Sequence, residues 1–198
     1  MTAQPLAQVA SSVAAGLLAL VGVVSASDPA VTHERSSGVA VVGGGFIAVT
    51  AVWVTPGLTV HPHYATRWVS DPARRARHRE VATARTLFLI EVANQSALRL
   101  EGYLALNARL RVNAREHAPD PDPAVRARLP DLWPGPALQR VPPHTTVLTA
   151  AAFPAVPPGT GPVILLIPPL WIFRGSRQIG ETPAFELGFD PRGLTYPP

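Results

Sequence analysis

The sequence predicts a mainly β protein, in which an N-terminal transmembrane helical hairpin precedes a β-sandwich or a small β-barrel. Three observations indicate this fold class. Two apolar stretches of membrane-spanning length, Leu6–Ser25 and Val39–Val60, follow each other near the N-terminus. An arginine-rich segment comes next, at residues 61–85. Across residues 86–198 short apolar runs, several of them alternating with polar residues, predict the strands of a β-domain.

The first apolar stretch, Leu6–Ser25, has the length and composition of a transmembrane helix. Its 20 residues include no charge and are mostly Leu, Ala and Val, and about 20 such residues cross the hydrocarbon core of a bilayer. The following sequence, Ser25-Ala26-Ser27, resembles the cleavage site of a secretory signal. However, Met1–Pro5 lacks the basic residues that such a signal carries. We therefore expect an uncleaved membrane-spanning segment.

The second apolar stretch, Val39–Val60, allows two interpretations. Its Gly43–Gly45 run disfavours a helix in water, although glycine is common where membrane helices pack closely. Its content of Val, Ile and Thr suits a buried strand equally well. The first interpretation is a membrane hairpin spanning residues 1–60, in which Trp53 and Trp68 are interfacial anchors. The second interpretation is an N-terminal helix followed by a buried strand.

The arginine-rich segment at residues 61–85 predicts contact with a membrane surface. Basic residues beside a span tend to stay in the cytoplasm and attract anionic lipid headgroups. All 17 basic residues are arginine, and only Arg35 precedes this segment. A lysine-free chain of this composition is typical of GC-rich bacterial or phage genomes. Together with the apolar spans and the arginines that follow them, this composition predicts a location in the bacterial inner membrane, with the β-domain in the cytoplasm. The side chains expected to contact anionic lipid are Arg67, Arg74, Arg75, Arg77 and Arg79.

The β-domain begins with a strand predicted at residues 86–94, followed by a long alternation of apolar and polar residues over Leu98–Val112. Within that alternation Gly102 is a candidate bulge, and Asn107-Ala108 is a candidate hairpin turn. Pro168-Pro169 must break or bend the strand in which it lies, or place that strand at a sheet edge. Four more strands are expected at the sequences TTVLTAAAF, PVILLI, LWIFRG and PAFELGF.

Five to seven short strands with Pro and Gly corners are typical of a β-sandwich or a small barrel. This pattern is similar to the immunoglobulin-like modules of bacterial envelope proteins. Of the 23 prolines, 18 lie between Pro119 and Pro198, which excludes long helices there. A Pro-rich surface loop is expected at residues 115–138, with one helical turn near Ala124–Leu129.

No motif in the sequence points to catalysis, a metal or a cofactor. The absence of cysteine excludes disulfides and thiolate metal sites. His61 and His63 lack a third ligand at a recognised spacing, and the acidic residues around His117 do not follow a calcium-loop pattern. Glu91 and Glu101 are expected to face solvent. We expect no catalytic residues and no small-molecule substrate, and nucleic acid is not an expected partner.

The expected function is therefore non-enzymatic. The chain would be a membrane-anchored structural or scaffolding protein, an accessory subunit of a larger membrane assembly, that presents a β-sandwich at the membrane surface. Its expected partners are membrane lipids and the proteins of a complex or further copies of the chain. The alternative is a virion or capsid-associated β-barrel assembly protein, whose apolar N-terminal arm contacts neighbours or an internal membrane.

Overall fold

The computed structural model describes residues 35–55, 69–120, 122, 124–125, 138–157 and 160–190. All of them belong to the unit His33–Pro198. The described helices are α1 (Pro72–Ala84) and α2 (Leu104–Asn107). The first six strands are β1 (Arg35–Val42), β2 (Gly45–Val54), β3 (Thr86–Asn94), β4 (Arg99–Gly102), β5 (Arg109–Val112) and β6 (Arg115–His117). The remaining strands are β7 (Gln139–Val141), β8 (Thr145–Phe153), β9 (Val163–Ile167), β10 (Trp171–Arg174), β11 (Arg177–Glu181) and β12 (Phe185–Phe189).

The strands form three antiparallel sheets of four strands each, so the described part of the chain is mainly β, as predicted. Sheet A has the order β1-β2-β3-β8, sheet B has β11-β10-β4-β7, and sheet C has β12-β9-β5-β6. Short hairpins connect β1 to β2, β5 to β6 and β10 to β11. The connection from β2 to β3 passes through α1 and returns to sheet A, and each remaining connection carries the chain from one sheet to another. All three sheets contribute to one core.

The centre of sheet A is buried on both faces. Phe88 and Ile90 of β3 face the core that sheet A shares with sheets B and C. Leu87 and Leu89, on the opposite face, pack with Val81 of α1. Because alternate residues of a strand point to opposite faces, a strand covered on both sides needs a continuous apolar run. This requirement explains why β3 is apolar at consecutive positions.

The shared core is centred on aromatic side chains from sheets A and C. The ring of Phe88 lies 4.9 Å from that of Phe189 and 5.4 Å from that of Trp53, measured between centroids. Phe153 of β8 meets Phe88 edge-on at 6.1 Å. Tilted and edge-to-face aromatic pairs of this kind add to the stabilisation from burial. Phe88 of β3 therefore contacts aromatic rings of β2 and β8 in its own sheet and of β12 in sheet C.

Helix α1 begins at an aspartate cap followed by proline, and it ends at a residue with an extended backbone. The carboxylate of Asp71 accepts a hydrogen bond from the backbone N–H of Ala73 at 2.9 Å, and Pro72 occupies the first helical turn. Arg85 has an extended backbone, which ends the helix and starts the approach to β3. Between these ends the helix buries His78 and Val81.

The expected second membrane helix at Val39–Val60 is wrong, because residues 39–54 lie in the β1–β2 hairpin. Gly43 and Gly44 adopt φ values of +54° and +81°, which glycine tolerates, and so form the turn. The buried-strand interpretation is confirmed for β2. Within the described residues, no helix is long and apolar enough to cross a bilayer. The other predicted span, Leu6–Ser25, lies outside the described residues.

The expected hairpin turn at Asn107-Ala108 is also wrong. Strands β4 and β5 lie in different sheets and are separated by helix α2. A Cβ atom on Gly102 would lie 2.7 Å from the Leu170 side chain, so glycine allows Leu170 to pack where β4 ends. The side-chain carbonyl of Gln139 then accepts the N–H of Leu104 at 2.8 Å and holds the start of α2.

Five of the predicted strands are confirmed as β3, β8, β9, β10 and β12. The break at Pro168-Pro169 is confirmed too, since β9 belongs to sheet C and β10 to sheet B. The predicted loop at 115–138 starts instead as strand β6, and its residues 126–137 lie outside the described part. Strand β11 was not predicted, because all five of its residues are exposed and no apolar alternation marks it.

Replacing Gly45 with alanine distinguishes the observed hairpin from a membrane helix. An added Cβ atom would lie 2.5 Å from the Gln95 carbonyl oxygen, which belongs to backbone that cannot move aside easily. We expect the free energy of unfolding to fall by about 1–3 kcal/mol, the usual cost of overpacking. Urea unfolding followed by tryptophan fluorescence would measure this loss.

The matched control is Gly180→Ala, because nothing lies within 4 Å of a Cβ atom built on Gly180. Its unfolding midpoint should stay close to that of the unchanged protein. Equal stability of the two variants would contradict the packing of the β1–β2 hairpin against the backbone of residues 95–96.

Candidate functional site

Residues 72–84 of the arginine-rich segment form helix α1 on the outer face of sheet A, the face turned away from sheets B and C. Arg74, Arg75 and Arg77 are half-buried, whereas Arg79 is exposed. Arg67 and Trp68, predicted to belong to the same surface, lie outside the described residues. Contact of these arginines with lipid stays a prediction.

One arginine of α1 makes hydrogen bonds to the backbone of the domain. One terminal nitrogen of Arg75 donates hydrogen bonds to the carbonyl oxygens of Val69 and Ser70, at 3.0 and 2.7 Å. These bonds tie the incoming chain to the first turns of α1. The long stems of half-buried arginines also cover apolar surface while the charged ends reach solvent. The arginines of α1 therefore serve the packing of the helix as well as its surface charge.

Trp53, expected as an interfacial anchor, lies in the core instead. It is 3% exposed, and its indole ring lies 5.4 Å from the ring of Phe88, measured between centroids. The ring of Phe189 contacts it edge-on at 6.2 Å. Because β2 is an inner strand of sheet A and Trp53 points into the shared core, this side chain has no access to headgroups.

Among the described residues, the outer face of sheet A is covered by α1 at one end and carries exposed side chains at the other. Val52 and Val54 of β2 lie under the helix. Phe46, six residues before Val52, points to the same face and is 39% exposed. Its cross-strand partner Val41 is 75% exposed, and Val39 beside it is 41% exposed. We call Val39, Val41 and Phe46 the hairpin patch.

The outer face of sheet B combines arginine, glutamate and aromatic side chains. Glu101 lies between Arg99 and Arg140, whose Nε atoms are 3.0 and 3.3 Å from its Oε1 atom. The contact with Arg99 is an ion pair without the alignment of a hydrogen bond. The Arg99 guanidinium also lies 4.8 Å from the centre of the Phe173 ring. Glu101 was expected to face solvent, but its side chain is only 10% exposed and is flanked by the two arginines.

Trp171 extends this surface, which we call the sheet B face. It lies opposite Glu101 in the strand register, and its ring meets that of Tyr103 edge-on at 6.0 Å. The grouping was not predicted from the sequence, because it depends on the pairing of β4 with β10, which lie far apart in the chain. The alternation of Trp171 and Phe173 around the buried Ile172 was the available signal.

A second charged group links the end of α1 to the loop after β6. The Nε atom of Arg85 donates a hydrogen bond to the Asp120 carboxylate, and a terminal nitrogen lies 3.9 Å from Asp122. Asp120 also accepts the backbone N–H of Asp122 at 2.9 Å. That backbone hydrogen bond, aided by Arg85, lowers the pKa of Asp120 although burial opposes the shift.

The other acidic and histidine side chains considered as candidate sites are not brought together among the described residues. Glu116 pairs with Arg111 across the β5–β6 hairpin at 3.0 Å. No group of three or more potential metal-ligating side chains occurs among the described residues. His61 and His63 lie outside those residues.

No protein-family model, no curated protein and no solved structure matches this chain. The assignment of a function therefore depends on the sequence and the geometry alone.

Replacing Asp120 with asparagine should lower the free energy of unfolding at pH 7 by about 1–2 kcal/mol, because charge-assisted hydrogen bonds are lost. The pKa of Asp120 is lowered on folding, so its carboxylate stabilises the fold above the ordinary aspartate pKa of 3.8. This contribution disappears as the pH falls through the lowered pKa. Urea unfolding over a pH series should therefore show the two proteins converging in acid.

Glu116→Gln is the matched control, since it removes a carboxylate from an exposed ion pair. We expect a change within about 0.5 kcal/mol. An Asp120→Asn effect that stays constant down to strongly acidic pH would contradict the role of the ionised carboxylate.

Proposed function

We propose that this chain is a non-enzymatic, membrane-anchored scaffolding protein, in which Leu6–Ser25 spans the membrane and the β-domain binds a protein partner. The anchor proposed is one span and not the expected hairpin, because residues 39–54 form strands. The observation that carries the proposal is the uncharged, 20-residue apolar stretch. A stretch of that length without charge favours insertion into a bilayer.

The sheet B face supports the partner-binding part of the proposal. Trp171, Tyr103 and Arg99 are of the residue types that dominate the energetics of protein interfaces. Glu101 holds Arg99 and Arg140 in place before a partner arrives, which reduces the side-chain entropy lost on binding. The proposed partner is another subunit of a membrane assembly.

The cytoplasm is the proposed location of the β-domain. Arg35, ten residues after Ser25, is the basic residue nearest to the proposed span, and Met1–Pro5 on the other side has none. Basic residues within about 20 residues of a span tend to remain on the cytoplasmic side. The other 16 arginines follow residue 60. The same arginine excess favours proximity to the anionic lipids of that leaflet.

The full chain, expressed in bacteria, should stay in the membrane pellet after washing with alkaline carbonate. Leu17→Arg combined with Leu20→Arg should release it, because each arginine near the centre of a span costs about 2.5–3.5 kcal/mol. The control, with alanine at both positions, keeps the segment apolar and should stay in the pellet. Protease added to sealed inverted vesicles should digest the β-domain.

Release of the unchanged protein by carbonate would contradict the membrane anchor and would favour the assembly-protein alternative. Retention with full protection from protease would contradict the cytoplasmic location only. The assay therefore separates anchoring from orientation.

A further inference from the structure

We infer that the β-domain docks onto an anionic bilayer through the outer face of sheet A, with the hairpin patch at the headgroups and the arginines of α1 facing lipid phosphates. Docking of this kind rests on the proposed function, since the anchor brings the domain to the bilayer. It specifies which face of the domain lies on the membrane, and it leaves the sheet B face for a protein partner.

Exposed apolar side chains are concentrated on this face. Five large apolar side chains are exposed among the described residues, and three of them form the hairpin patch. Val41 and Phe46 are directly paired across β1 and β2, so their side chains lie on one face. Val39 pairs with half-buried Ala48 on the same face. An apolar cluster of this kind marks a surface that contacts another molecule or a membrane.

The charge of the face distinguishes a bilayer from a neutral partner. Helix α1 covers the other end of the same face and carries four arginines against one acidic residue, Glu80. Phe46 and Val52 are six residues apart in β2, which corresponds to about 20 Å. Glu91 lies half-buried between the two ends and adds one negative charge. Asp71 at the start of α1, and Asp120 and Asp122 beside Arg85 at its end, add three more acidic groups. The positive excess is therefore confined to α1 itself, where four arginines outnumber Asp71 and Glu80 and complement anionic phosphates.

The connection between the proposed anchor and the β-domain is short. Nine residues, 26–34, separate the proposed span from β1. Fully extended, they reach at most about 30 Å. The strand that carries Val39 and Val41 is therefore the part of the β-domain nearest the anchor along the chain.

Single-cysteine labelling tests the docking directly, because the chain has no native cysteine. Full-length protein with Val41→Cys would carry an environment-sensitive fluorophore and be reconstituted into vesicles of phosphatidylcholine and phosphatidylglycerol. We expect a blue-shifted emission that spin-labelled lipids quench. Gln178→Cys is the control, because Gln178 lies exposed beside Phe173 in sheet B and should show neither effect.

Arg79→Gln, combined with Val41→Cys, tests the electrostatic part. Loss of one exposed arginine should lower the ratio of docked to undocked domains roughly fivefold in anionic vesicles. The same change should have no effect in phosphatidylcholine alone. An equal loss of docking in both kinds of vesicle would overturn the role of negative headgroup charge.

The labelling outcomes separate the docking from the anchor. A label at position 41 that stays in water, on protein that resists carbonate, would overturn the docking and leave the anchor intact. A blue shift that depends on protein concentration but not on lipid would overturn it in favour of a second copy of the chain. Release of the protein by carbonate would remove the proposed function and the docking together.

Discussion

Burial of the central strands of sheet A on both faces is the constraint on which the rest of the structure depends. One face packs on sheets B and C, and the other packs under α1. A two-sided apolar sheet is stable in water only when both layers are present. The chain must therefore supply a helix and two further sheets to cover it. In the observed order of elements the helix lies between β2 and β3, and the strands of the covering sheets follow β3.

The covering sheets arise because the chain changes sheet at particular residues. Gly102 admits Leu170 at the end of β4, and Pro168-Pro169 ends β9 before β10 begins. A regular hairpin at either place would keep consecutive strands in one sheet. The breaks instead divide them between sheets B and C, which together cover the inner face of sheet A.

The same arrangement gives the domain two different outer surfaces. The outer face of sheet A carries arginines and the hairpin patch, because α1 covers only part of it. The sheet B face carries aromatic rings and a glutamate held between two arginines. The proposed membrane-anchored scaffold would use the first surface for the bilayer and the second for a partner.

The sequence by itself determined the β class, the strand at residues 86–94 and the break at Pro168-Pro169, because local periodicity and proline chemistry decide these features. It could not decide whether residues 39–54 form a membrane helix or strands, since an apolar run suits either until its neighbours are known. Only the tertiary structure decided that, by placing β2 between β1 and β3. The sheet B face was likewise decided by strand register, because pairing between distant segments is a non-local property.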